Sequence, residues 1–357
     1  MPDPSETVRT PTTPDEPWGE GAAPDPALAG VVSIDTVRAA SDRITGHAIR
    51  TPVLRSPALD GACGASVYLK CENLQPIGAF KIRGATNAIA SLSDEQRRAG
   101  VLTYSSGNHA QGVAYASAAL GVRAVIIMPS NAPRVKLDST RRLLESAPRG
   151  SRVETYDPDE TSREEVAARL LDREPMTLVP PYDHPDVISG QGTAALELFE
   201  EVPDLDRLYV CCGGGGLLSG CATVAKALAP GCEVIGVEPE TADDATRSFA
   251  DGVLRTVHNP DTIADGARTP YLGRYTFPII LERVDRMTTV SDAELARWTL
   301  FCLERLRIVV EPSGVLGLSA AARDRRPGRI GVIVTGGNLD LDSIEGLRRL
   351  AGGAARG

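Results

Sequence analysis

What this chain of 357 residues lacks narrows its function before any motif is considered. It has no apolar run of the roughly 20 residues needed to cross a bilayer. Its first residues lack a basic start followed by an apolar stretch, so no secretory signal is expected. Positive charge is not in excess: 38 Lys and Arg stand against 47 Asp and Glu, a net charge of −9. No basic surface for nucleic acid is therefore implied. The seven cysteines, at 63, 71, 211, 212, 221, 232 and 302, are odd in number and mostly embedded in apolar runs, and no pair has metal-finger spacing. They are expected to be reduced core thiols. Together these absences leave a soluble, acidic, cytoplasmic globular protein as the expectation.

Residues 1–33 contain seven prolines and few large apolar side chains. Such a segment cannot bury enough apolar surface to offset its ordering entropy, so a mobile extension is expected. From Ser33 the pattern changes to alternating strands and helices. Short apolar runs at 66–71, 101–104, 124–128, 208–212, 233–237 and 330–334 predict strands. Amphipathic segments at 108–120, 161–171, 192–201, 217–228 and 292–306 predict helices. Apolar strands alternating with helices indicate an α/β protein whose sheets are covered on both faces. Ligands gather at the carboxyl ends of strands in such sheets.

Four segments carry chemistry. Lys81 lies within Gly78-Ala79-Phe80-Lys81-Ile82-Arg83-Gly84-Ala85, at the end of a loop and the start of a helical pattern. Between an aromatic and small residues its ammonium can be partly desolvated, and a neutral amine is what Schiff-base chemistry needs. The run Gly213-Gly214-Gly215-Gly216-Leu217 follows an apolar strand and opens a helix. Successive glycines let backbone N–H groups converge on an anion, and the helix N-terminus adds partial positive charge. No Gly-Lys-Ser/Thr follows and the dinucleotide spacing is absent, so a phosphate is expected without nucleotide-hydrolysing machinery. Ser105-Ser106-Gly107-Asn108-His109 also joins a strand to a helix, with donors that suit a carboxylate, and Asn108 can donate to a ring oxygen. Val334-Thr335-Gly336-Gly337-Asn338 ends the last strand and puts a hydroxyl at its carboxyl edge.

A reactive lysine, a phosphate cradle and a carboxylate loop describe a site for pyridoxal phosphate. In these motifs, over residues 35–345, the chain resembles the fold-type II pyridoxal-phosphate enzymes, and within them the serine/threonine dehydratase and serine racemase group. The resemblance implies two open, twisted α/β domains with the cofactor in the cleft between them. The large domain would comprise 34–95 and 178–357, and a small mobile domain would comprise 96–177. It also implies that Lys81 carries the cofactor beside Phe80. Asn108 would bond the phenolic oxygen, Gly213, Gly214, Gly215, Gly216 and Leu217 would hold the phosphate, and Thr335 would face the pyridine nitrogen. A hydroxyl there weakens the ring as an electron sink and suits β-elimination. Ser105, Ser106 and His109 would meet the substrate, with Ser106 opposite Lys81 as a second-face acid.

Two further segments refine the subgroup. Residues 236–244, Gly-Val-Glu-Pro-Glu-Thr-Ala-Asp-Asp, resemble the divalent-cation site of racemase-like members. By that resemblance Glu238, the carbonyl of Ala242, and Asp244 would bind Mg²⁺ or Ca²⁺, a set that suits a hard cation. Arg163 matches a position where related enzymes place an arginine near the substrate, where it would pair bidentately with a second carboxylate, as in hydroxyaspartate. The implied activity is dehydrative deamination of a β-hydroxy-α-amino acid such as L-threonine or L-serine. Serine racemisation and 3-hydroxyaspartate dehydration are the alternatives. A homodimer is implied by the resemblance, and isoleucine feedback is not expected because no regulatory domain follows.

Overall fold

The computed structural model describes residues 20–132 and 134–353, which form two twisted sheets. The strands in chain order are β1 (Val53–Leu54), β2 (Ser66–Cys71), β3 (Val101–Tyr104), β4 (Ala124–Pro129), β5 (Arg152–Tyr156), β6 (Thr177–Leu178), β7 (Arg207–Cys211), β8 (Glu233–Pro239), β9 (Arg286–Val290) and β10 (Arg329–Val334). One sheet has the order β1-β2-β10-β7-β8-β9, parallel throughout except for β1 against β2. The other is all parallel, in the order β5-β4-β3-β6. Side chains alternate across each sheet into separate apolar clusters. Along β4, Ala124, Ile126 and Met128 enter one cluster, while Val125 and Ile127 enter another. Along β10, Ile333 faces one cluster, while Ile330, Val332 and Val334 face another. Both faces are therefore buried, as continuous apolar strands require. Two α/β sheets, each covered on both faces, are what the resemblance implies.

Three helices meet closely enough to fix the helix that begins at Lys81. A Cβ on Gly190 would lie 2.7 Å from both the Arg83 carbonyl oxygen and the Gly84 Cα. One on Gly192 would lie 2.9 Å from the Gly220 oxygen. Lys81–Ala90, Pro185–Glu201 and Gly216–Leu228 thus pack backbone to backbone. These glycines look like helix breakers in the sequence, which is why the helix predicted from 192 begins at Pro185 instead. The helix predicted at 292–306 is α-helical over Asp292–Phe301 and then closes as a π-helical turn, Cys302–Leu306.

Beneath the same helix lies a buried ionic quartet. Arg83 donates to both oxygens of Glu72 (Nε 2.7 Å, Nη2 2.8 Å) and both of Glu197 (Nη1 2.7 Å, Nη2 2.8 Å). Lys70 adds a bond to Glu197 at 2.5 Å and one to the Thr51 carbonyl at 2.6 Å. The Thr51 hydroxyl donates to Glu72 at 2.5 Å. Burial works against ionisation of Glu72, but the Arg83 guanidinium holds its carboxyl below the usual range.

The mobile extension expected through residue 33 is corrected from Glu20 onward. Gly21 N donates to Leu254 O (2.8 Å) and Leu254 N to Ala22 O (2.9 Å). Ala29 and Val32 are buried, and their carbonyls accept from the Arg283 guanidinium at 2.7 and 2.8 Å. Composition hides this because the anchors are main-chain carbonyls held by a distant arginine. The remainder of that expectation, residues 1–19, lies outside the described residues. Among the described residues no helix is long and apolar enough to cross a membrane.

Candidate active site

The site loops leave the carboxyl ends of the parallel strands. Lys81 opens its helix directly after a loop clipped to the end of β10: Phe80 N donates to Thr335 O at 3.0 Å and Gly337 N to Gly78 O at 2.8 Å. Gly78 has φ +71°, and a Cβ there would lie 2.6 Å from the Asn338 side chain, so glycine is required twice over. The Lys81 ammonium donates to Pro181 O at 2.6 Å and lies 5.1 Å from the Phe80 ring centroid. Burial pushes its pKa down to about 8, with the nearby Cys211 opposing. A substantial neutral fraction is therefore present near physiological pH.

The glycine loop meets the same segment. Tyr182, the residue after Pro181, covers Gly214 so closely that a Cβ there would be 2.5 Å from its ring. A Cβ on Gly213 would approach Thr269 Oγ1 to 2.8 Å, and one on Gly216 would approach Tyr182 O to 2.9 Å. Gly215 has φ +89°, and its Cβ would lie 2.8 Å from Ile280. All four positions therefore exclude a side chain, and the loop presents main chain at the start of Gly216–Leu228, with Leu217 buried behind it. Lys81 and the phosphate-type loop are joined through two consecutive residues.

Helix Asn108–Leu120 crosses the lysine helix where a Cβ on Gly112 would be 3.1 Å from Lys81 O. This brings the 105–109 loop over Lys81. Ser105 Oγ accepts from Gly107 N at 3.2 Å, and Ser106 is exposed. Asn108 is fixed on two sides: its Nδ2 donates to Glu311 Oε1 and its Oδ1 accepts from Asn338 Nδ2, both at 2.8 Å. His109 is buried, with Nε2 against Val179 O at 3.0 Å and Nδ1 without a partner. Burial, helped by the Lys81 charge, pushes its pKa down to about 3, so the imidazole is neutral. Glu311 is pushed up to about 7, by burial first and Asp265 second. Thr335 is buried, with its hydroxyl 3.5 Å from Ser313 O and within reach of Cys211. Arg163, first residue of Arg163–Arg173, is half-exposed, its guanidinium 5.0 Å from the Tyr104 ring centroid.

This arrangement has well-defined relatives. The family described as "Pyridoxal-phosphate dependent enzyme" matches residues 44–336, most of the chain. The serine racemase of Schizosaccharomyces pombe is 50% identical over 311 residues, covering 86% of this chain and 94% of that protein. An L-threo-3-hydroxyaspartate ammonia-lyase from a Pseudomonas species is 48% identical, covering 88% and 97% respectively. The solved structure of maize serine racemase superposes with a TM-score of 0.83 at 38% identity, covering 91% of this chain and all of that one. The chain belongs to the pyridoxal-phosphate dependent enzymes.

For this pyridoxal-phosphate dependent enzyme the residues present suit the cofactor. The glycine loop is a cradle that any Cβ would fill, Lys81 is a lysine with a depressed pKa, and Asn108 is held with its amide orientation fixed by two neighbours. The expected cation ligands lie just behind the cradle. Glu238, near the end of β8, accepts from Ala245 N (3.2 Å), Thr246 N (2.7 Å) and Thr246 Oγ1 (2.8 Å). Asp244 opens helix Asp244–Asp251, and its Oδ2 is buried without a partner. Burial and the Asp244 charge drive the Glu238 pKa well up; burial takes Asp244 to about 8. Among the described residues no group of three or more His, Cys, Asp or Glu side chains could hold a metal. The set is two carboxylates beside the buried Ala242, and an orphaned carboxylate oxygen is what a hard cation would satisfy.

Sequence reasoning missed Pro181, Tyr182, Cys211 and Glu311. Glu311 had a signal, an acid inside the run Ile308-Val309-Val310-Glu311-Pro312. Pro181 and Tyr182 had none beyond their place after a short strand.

Proposed function

We propose that this chain catalyses dehydrative deamination of a β-hydroxy-α-amino acid, yielding a 2-oxo acid and ammonia. The observation that carries this is the Lys81 amine, depressed to about 8, buried, and linked to the glycine cradle through Pro181 and Tyr182. Pyridoxal phosphate, when bound, takes up the electron pair left at Cα. Lys81 anchors the cofactor, and its neutral amine removes the Cα proton. Gly213, Gly214, Gly215, Gly216 and Leu217 hold the phosphate with main-chain donors, and Asn108 donates to the phenolic oxygen. Thr335 would offer the pyridine nitrogen a hydroxyl rather than a carboxylate, which would leave the ring a modest electron sink and favour loss of the β-hydroxyl. Ser105, Ser106 and the neutral His109 receive the substrate carboxylate end. The unit built on the second sheet closes over the cleft and excludes water. Glu238, the carbonyl of Ala242, and Asp244 would hold Mg²⁺ or Ca²⁺ behind the cradle. Seven free cysteines support a reducing, cytoplasmic setting, and the family resemblance supports a homodimer.

Within this class Arg163 favours a substrate with a second carboxylate, and the Pseudomonas relative is an L-threo-3-hydroxyaspartate ammonia-lyase. The test is Lys81→Ala. It should abolish the visible absorbance of lysine-bound pyridoxal phosphate and the release of 2-oxo acid from serine, threonine and 3-hydroxyaspartate; persistence of both would refute the reading. A second reading, serine racemisation, is favoured by the exposed Ser106 hydroxyl and by the S. pombe relative. Ser106→Ala should then stop inversion, followed by chiral analysis of residual serine, while sparing much of the elimination.

A further inference from the structure

Arg163 is a cation in a place that fold stability does not explain. It is the first residue of Arg163–Arg173, at the positive end of the helix dipole, where acidic side chains are favoured. Glu164 and Glu165 follow that preference; Arg163 opposes it. It is nevertheless held in one orientation from two sides. Its guanidinium stacks 5.0 Å from the centroid of the Tyr104 ring, and its Nε donates to Glu164 Oε1 at 2.6 Å. Among the described residues its two Nη groups meet no protein acceptor.

The position of this seat matters as much as its geometry. Tyr104 ends β3, and the next residue begins the 105–109 loop. Tyr156 at the end of β5 and Tyr182 beside the Lys81 contact also lie within the field of Arg163. Three phenol-bearing residues thus lie near a guanidinium at the carboxyl edge of the second sheet. With Nε occupied, the end-on pair Nη1 and Nη2 remains, a fork that matches a carboxylate bidentately. A planar group already stacked and tethered loses less freedom when it binds.

We infer that Tyr104 and Glu164 are positioning residues that preset Arg163 as an end-on fork for the second carboxylate of a β-hydroxy amino dicarboxylic acid. This rests on the cleft being the site of a β-hydroxy-α-amino acid. Tyr104 supplies the face that fixes the guanidinium plane, and Glu164 fixes its rotation about the Cδ–Nε bond. Neither touches the reacting atoms.

The experiment compares the holoenzyme with its Tyr104→Phe, Tyr104→Leu and Glu164→Gln variants. The readouts are kcat/KM for L-threo-3-hydroxyaspartate and for L-serine, from 2-oxo acid release, and the affinity for succinate by calorimetry. Tyr104→Leu should lower the hydroxyaspartate-to-serine ratio about tenfold and weaken succinate in parallel, in keeping with the strength of a partly desolvated cation–π contact. Tyr104→Phe keeps the ring and should stay within about twofold of the parent on both readouts. Glu164→Gln should fall between, about threefold, since a neutral acceptor replaces a charged one. Equal losses on both substrates in Tyr104→Leu would overturn the inference, as would a Phe variant as impaired as Leu. Wild type that consumes serine but not hydroxyaspartate would also overturn it while leaving the lyase reading intact. If neither substrate yields 2-oxo acid the lyase reading falls, and succinate still decides the fork: unchanged affinity in Tyr104→Leu overturns it.

Discussion

Two groups of buried charges in the large sheet region have opposite characters. Under the lysine helix, Lys70, Glu72, Arg83 and Glu197 balance two cations against two carboxylates. Both oxygens of Glu72 and of Glu197 are met, and the Glu72 pKa is depressed. Behind the glycine loop, Glu238 and Asp244 bring two acids together with one oxygen unmet, and both pKa values are raised. Cys212, which immediately precedes the four glycines, lies in the field of this second pair. The first group is complete and acts as scaffolding that fixes the direction of the helix starting at Lys81. The second is uncompensated: burial outweighs its hydrogen bonds and raises both pKa values. Burial alone does not distinguish structure from site; compensation does.

The largest effect should come from breaking the complete group. Arg83→Met would leave Glu72 and Glu197 with only Lys70 between them, and such a loss costs about 3–5 kcal/mol. Urea unfolding of the purified variant measures it. A midpoint unchanged from wild type would mean that the quartet is not the scaffold it is taken for here.

The incomplete pair should respond in the opposite direction. In EDTA at pH 8, Asp244→Asn should raise stability by about 1–2 kcal/mol, because it removes a carboxylate whose charge burial opposes. It should also abolish any gain in Tm on adding Mg²⁺ or Ca²⁺. The sign of the pH dependence follows from the raised pKa values. The folded protein holds these protons more tightly than the unfolded chain, whose carboxyls titrate near about 4. The Asp244 contribution is complete below that pH and is lost as pH rises through about 8; the Glu238 contribution has the same sign. Metal-free wild type should therefore weaken over that window, and Asp244→Asn should flatten the slope. Stability rising from pH 5 to 8 in EDTA would contradict the contrast between the two groups.

The same logic explains what the sequence disclosed. The six strands predicted from apolar runs are β2, β3, β4, β7, β8 and β10, and every one is interior to its sheet. The four that escaped prediction, β1, β5, β6 and β9, are the four edges. An edge strand is only half covered, so Arg152-Val153-Glu154-Thr155-Tyr156 carries charge that an interior strand would not. In the site, Lys81 and the glycine run were legible because each is a contiguous motif at a strand-to-helix turn. Pro181 and Glu311 were not. They are ordinary residues brought in by topology, Pro181 from 100 positions beyond Lys81 and Glu311 from 203 beyond Asn108. Tyr104 closes an apolar strand and shows nothing of the arginine above it until the 163–173 helix is placed. The Glu238 and Asp244 pair was legible as a local motif, but its lack of compensation needed the fold.

The smallest predicted effects give the finest test, because they delete the same chemical group from both regions. Thr51 donates its hydroxyl to Glu72 at 2.5 Å, and Thr246 donates its hydroxyl to Glu238 at 2.8 Å. Glu72 is ionised, so Thr51→Val removes a charge-assisted bond, about 1.5–3 kcal/mol. Burial and the Asp244 charge push the Glu238 carboxyl well up, toward its neutral form, so Thr246→Val removes a bond to a less charged acceptor, about 0.5–1.5 kcal/mol. Thermal or urea unfolding at pH 6 in EDTA should therefore rank Thr51→Val as the more damaging. Saturating Mg²⁺ or Ca²⁺ should narrow the gap, because a bound cation keeps Glu238 ionised and turns the Thr246 bond into the charge-assisted kind. A cation that leaves the Thr246→Val deficit unchanged would show that it does not act at this pair.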